Sequence, residues 1–295
     1  MPRSTRTRLA KQRSARSREN YSTARFSVGC RNNIGLDDCT PAQLALRYLL
    51  AAFIFDTAPV GTGGHSLSPS TLTCYSITPS ARFDELVLVT DAPDNVTGYL
   101  VPTDPEFIGI PGLRIVHIEQ SDYHMLHLPS GALMRVTRRS TVKGRKLPPQ
   151  GLRDTERGWW TPQHPLSAAE EQAMAAHRLP SLDAQTLLAA LITRWNFRDP
   201  HQTWAASWFY DPFDRPGDHQ HRAWGGPYRR LKGAGDDWHL EWNQCPAHPD
   251  IAAMLTDPIV GLSDTIATVH NSHHIELSYK SAKLSLYRKP IHGRI

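Results

Sequence analysis

From Pro41 to about Phe55 the chain is apolar nearly all the way round a helical wheel, with Leu44, Leu46, Tyr48, Leu49, Leu50, Phe53, Ile54 and Phe55 leaving no polar stripe. Thr40, Pro41 and Gln43 stand where an N-cap, a first-turn proline and a capping-box partner belong, so the stretch reads as a central core helix. The Gly-rich GTGGHS at 61–66 follows that helix, the wrong context for a phosphate loop, and reads as a connector. The period then changes. LTCYSI, ELVLVT, GYLV, LRIVHIE, YHMLHL and ALMRVTRR, between Leu72 and Arg139, have strand composition, the last two forming a hairpin about Pro129-Ser130-Gly131. LPPQG at 147–151 breaks regular structure and marks a linker.

Beyond the linker, Ser167 and Glu170 form a capping box for a helix to about His177. Ser181 opens a second helix, whose Leu187, Leu188, Leu191, Ile192 and Trp195 fall on one stripe. Strand-like runs follow in TWAASWFY, DWHLEWN and a closing hairpin HIELSY/KLSLYR, with a short helix from Pro249 to about Leu255 before that hairpin. Helices and strands come in blocks, without βαβ alternation and without an apparent internal repeat. The expected class is α+β: mixed helices and antiparallel sheet in two lobes, 27–146 and 152–295.

Charge changes this picture at one end. Residues 1–26 hold eight basic residues against Glu19 alone, a net +7, while the other 269 sum to −2. With few large apolar residues this segment reads as a disordered basic arm, whose Arg3, Arg6, Arg8, Arg13 and Arg16 could each neutralise a phosphate. Arg135, Arg138, Arg139, Lys143, Arg145 and Lys146, with no acid among them, suggest a basic sheet edge that could track the same backbone. The leading expectation is therefore a DNA- or RNA-binding protein. Readings of the first residues as an organelle transit peptide or an incidental solvated tail stand beside it. A 40% hydrophobic share predicts a real core. Four scattered cysteines without a CxxC pair, no apolar leader and no long apolar run predict a cytoplasmic protein without a membrane partner.

All eight tryptophans fall after residue 158, which suggests core filling, with the adjacent Trp159 and Trp160 too crowded for both to be buried. An exposed one would give the Trp-rich lobe a protein partner, so an interaction or assembly protein is a further alternative. Candidate chemistry gathers about GDHQH, residues 217–221. Alternation in Trp238–Trp242 puts His239 and Glu241 on one strand face, as it does His274 and Glu276. Such a pair is half a site for magnesium, manganese or zinc, and Asp218, His221 and His248 could complete it. The order Asp218-His219, Gly225-Gly226, Asn243-Gln244-Cys245, His248 is similar to that of HNH-type nucleases, although the paired CxxC knuckles are missing. That resemblance implies a metal-dependent nuclease with His219 and Asn243 catalytic. Convergence requires segments 203–211 and 238–242 to be sheet neighbours. The plainer reading of GDHQH is a solvated turn, with no cofactor.

Overall fold

The computed structural model describes residues 4–28, 33–56, 69–102, 109–120, 122–139, 158–176, 180–213 and 228–289. The Thr40 hydroxyl accepts the Gln43 amide at the head of α3 (Pro41–Ile54). Gln43 closes no reciprocal box. Its side-chain amide donates instead to the carbonyls of Asp84 and Leu133, tying the helix to a sheet. A 3-10 turn (Pro69–Cys74) leads into β1 (Ile77–Ala81), β2 (Glu85–Thr90), α4 (Pro93–Leu100), β3 (Leu113–Glu119), β4 (Asp122–His127) and β5 (Ala132–Arg138). The GYLV run expected as a strand lies in α4, entered by Pro93 at its first turn.

The second half follows with α5 (Ala168–Ala176), α6 (Leu182–Thr193), β6 (Arg229–Ala234), β7 (Asp237–Trp242), α7 (His248–Thr256), β8 (Thr265–Asn271), β9 (His274–Tyr279) and β10 (Ala282–Arg288). TWAASWFY forms no strand; only Ala205 bridges to Arg198. Two five-stranded sheets result, ordered β1-β2-β5-β4-β3 and β6-β7-β10-β9-β8, and the class is α+β. Both sheets are mixed where antiparallel pairing was expected. Each closing strand lies parallel to the second strand of its sheet, β5 beside β2 and β10 beside β7. The reason is topological: α4 and α7 carry the chain across a sheet face to the far edge, and the three-stranded meander returns to the middle.

The two halves repeat one plan, helix–strand–strand–helix–strand–strand–strand, contrary to the absence of a repeat in the sequence. The ladders correspond at a spacing of 152, with Ile77 opposite Thr90 as Arg229 is opposite Trp242, and Leu113 opposite His127 as Thr265 is opposite Tyr279; the outer pair differs in its irregularity, which falls between Ile115 and His117 in one half and between Val269 and Asn271 in the other. The last hairpin is two residues shorter in the second half, where Tyr279 pairs with Ala282 as His127 pairs with Ala132. Helices α3 and α6, equivalent in the two halves, pack on each other. One apolar cluster runs through both halves, from Ile34 to Leu286, and includes Leu50, Phe53, Leu191 and Trp195.

Residues 5–27 are not a mobile arm. Ser4 caps α1 (Thr5–Ser17) and Asn20 caps α2 (Tyr21–Ser27), and the pair docks on the body. Arg13 is fully buried, doubly bonded to Glu19 at 2.6 and 2.9 Å and donating to the carbonyls of Ile34 and Ala81. Arg16 meets Asp257 at 3.7 Å, and its carbonyl accepts the Arg198 amide. Two of the arginines that made the segment look disordered, Arg13 and Arg16, help hold it down. Among the described residues no helix is long and apolar enough to cross a membrane.

Candidate functional site

Trp238, Leu240 and Trp242 of β7 are buried in the core, which turns His239 and Glu241 to the opposite face of the second sheet. Register sets Arg230, Glu241, Tyr287 and His274 in one cross-strand row, and Lys232, His239, Ser285, Glu276 and Thr268 in the next. Four rings form a stack across four strands. His239 and Tyr287 lie 6.1 Å apart, Tyr287 and His274 4.3 Å, and His274 and His270 4.5 Å, with interplanar angles of 23°, 14° and 16°. Because the faces of Tyr287 and His274 are turned to their neighbours, the row presents edges to solvent and no open platform on which bases could lie.

The charges on this face are matched. Glu241 takes an ion pair from Lys289 at 3.0 Å and Lys232 at 3.6 Å, and accepts from the Tyr228 hydroxyl at 3.2 Å. Burial works to raise its pKa, but the Lys289 bond and the two lysine charges hold it below the ordinary value. Lys283 lies 3.9 Å from Glu276. His274 is held below the usual imidazole value first by burial and then by the neighbouring His270, with Glu276 opposing.

Among the described residues, those expected to carry metal chemistry do not gather into one ligand set. Asp218, His219 and His221 lie outside the described residues. Segment 203–211 is not a strand, and both flanks of β7 are taken, by β6 and β10, so the sheet adjacency that convergence requires does not exist. Asn243 extends the β6–β7 ladder, its side-chain oxygen accepting the Tyr228 amide at 2.8 Å. His248 is buried at the head of α7, its pKa lowered by burial and then by Arg288 and His273. Among the described residues no group of three or more His, Cys, Asp or Glu side chains could hold a metal ion.

The described basic residues are likewise dispersed. Arg3, Lys143, Arg145 and Lys146 lie outside the described residues. Strand β5 is central, not an edge; on it Arg135 approaches Glu85 and Asp122, and beyond its end Arg139 donates to Thr78. Arg138 is half-buried at the end of the strand. Arg6 and Arg8 are exposed, Arg6 donating to the Arg25 carbonyl. A groove of about 800 Å³ beside α1 contains Asp37 and Asp257, but Asp37 is bonded to the fully buried Arg194 at 2.6 and 2.7 Å, and Asp257 faces Arg16.

What distinguishes the second sheet is its edge. In the first sheet the equivalent strand, β3, has Leu113, Arg114 and Ile115 buried beneath segment 158–176. Ile115 donates to the Trp160 carbonyl, and Trp159, itself buried, packs edge-on against Tyr123 with centroids 5.3 Å apart. Arg114 is bonded twice to Glu170 at 2.8 Å while its guanidinium lies 4.9 Å from the Trp160 ring. At the same register β8 carries Ile266 and Ala267 in place of Arg114 and Ile115. It is exposed from Ile266 through Asn271, with Ile266 at 66% and Val269 at 69%. The sequence reading assigned no element here, although TIATVHN is a β-branched, uncharged run of strand composition. Compared with protein-family models, with curated proteins and with solved structures, the chain matches none.

Proposed function

We propose that the chain is a protein-binding module that receives an extended segment of a partner along β8. The observation that carries this is the contrast between equivalent stretches of the two edges: Leu113, Arg114 and Ile115 of β3 lie buried under their own chain, whereas β8 is exposed from Ile266 through Asn271. A long, uncharged edge with unpaired backbone groups is a template for strand addition; main-chain hydrogen bonds supply affinity and side-chain contacts specificity. Docking of Trp159–Trp160 on β3 supplies the pattern, a backbone carbonyl bonded to the edge and aromatic rings beside it. Free thiols at Cys39, Cys74 and Cys245 suit a reducing, cytoplasmic setting. The test is a synthetic array of extended peptides with alternating apolar and aromatic residues, probed with the full chain and with I266K. Retention by the wild type, loss in the variant and slowed amide exchange at 265–271 are expected. Retention equal in both overturns the reading.

Nucleic-acid binding stands as a second reading, supported by the exposed Arg6, Arg8, Lys11 and Arg25 on the docked helices. Removal of the segment would disturb the buried Arg13, so the proper test is R8A with K11A, read by polarisation of a labelled DNA or RNA strand across a salt series. A metal-dependent hydrolase reading rests on Asp218, His219 and His221, and elemental analysis with magnesium, manganese and zinc cleavage assays decides it.

A further inference from the structure

We infer that the occupant of β8 is a second copy of this chain, pairing antiparallel about a two-fold axis at Thr268 and joining the two second sheets into one ten-stranded sheet. The inference rests on reading β8 as a docking edge and names its partner. Thr265–Asn271 contains neither an acid nor a lysine or arginine, so two copies meet without like charges opposed. With Thr268 on the axis Ile266 lies opposite the partner copy's His270 ring, and Ala267 opposite its Val269. Over Ile266–His270, up to the bulge that ends the regular β8–β9 ladder between Val269 and Asn271, same-face pairing is preserved, because opposed residues are an even number of positions apart. The exposed apolar side chains of Ile266 and Val269 then find cover on opposite faces of the joined sheet.

The other edge explains why the assembly closes at two. Strand β6 exposes Arg230 and Lys232, and charged side chains of this kind block edge-to-edge addition. One adhesive edge and one charged edge give an isologous pair instead of a growing ribbon. A seven-residue strand pair buries less than the roughly 1,200–2,000 Å² of a stable standard interface, so the dimer is weak and concentration-dependent.

The test is sedimentation equilibrium of the full chain over micromolar to sub-millimolar concentration. A mass rising from 33.1 kDa towards twice that value is expected. T268K and T268E, at an exposed position, each place like charges face to face on the axis, and each is expected to remain monomeric. A mixture of the two is expected to regain the heavier species, which a misfolded variant would not do. A wild type that stays monomeric throughout, a T268K protein that dimerises as the wild type does, or a mixture without recovery each overturns self-pairing. A monomeric wild type that still binds array peptides at 265–271 keeps the docking edge and rejects only this partner; one that does neither rejects both.

Discussion

His127 shows how one side chain is committed by its surroundings. Its ring lies 2.7 Å from the Ser130 hydroxyl and 3.1 Å from the Pro111 carbonyl, and burial, with Arg114 assisting against Glu170, pushes its pKa down to about 4. An unfolded histidine titrates near 6.5, so the folded state prefers the neutral ring. The associated stability is fully present above about pH 6.5 and is lost as pH falls towards 4. We expect H127Q to remove on the order of 2–3 kcal/mol of the difference in unfolding free energy between pH 7 and pH 4.5, measured by urea titration of both proteins. Local rules made some residues legible in advance: Thr40 caps α3, Ser181 caps α6, and Ser167 and Glu170 bond reciprocally as a capping box should. They did not reveal that Glu170 also grips Arg114 and the Gly112 amide. The cap signature is four residues long, whereas that second partner is more than fifty positions away.

At the scale of elements, Glu170 is a clamp. It fixes segment 158–176 over β3 by neutralising a guanidinium that has no exposed surface. In E170Q the Arg114 charge is left buried without a counter-ion, which should cost about 3–5 kcal/mol. The expected signature is local as well: amide exchange at Gly112 and Ile115 quickens, while that of Leu240 in the second sheet follows only the global loss. Strands β2 and β3 were legible from β-branched composition, and β7, β9 and β10 from alternation that persists over six or seven residues. Their order was not. The placement of β5 in the centre of its sheet depends on a parallel contact with β2 that no local pattern encodes, and it turns the expected basic edge into a strand whose Arg135 approaches Glu85 and Asp122.

For the whole molecule, the sequence concealed the repeat because topology was kept while side chains diverged. Of the six aligned positions in β2 and β7, ELVLVT and DWHLEW, only Leu88 and Leu240 share a residue. Composition misled in the same way at the start of the chain, where charge density suggested an arm and the structure uses Arg13 to join α1 to Glu19, Ile34 and Ala81. We expect R13A to lose about 3–5 kcal/mol, since Glu19 is left buried and unpaired. Because one apolar core spans both halves, unfolding should still follow one transition whether read by circular dichroism or by tryptophan fluorescence. Two separated transitions in the wild type would contradict that continuity.

The central seats of β5 and β10 also govern the order in which this chain can complete itself. In each half the strand synthesised last is the one that joins an existing two-stranded hairpin to the other antiparallel pair. While translation stands between Glu85 and Arg138, or between Asp237 and Arg288, the nascent chain holds narrow ribbons whose edges have nothing to close them, and isolated ribbons are marginal in water. Synthesis therefore passes twice through an interval of exposed backbone, and each interval ends only when a single seven-residue strand emerges and takes its place between its neighbours.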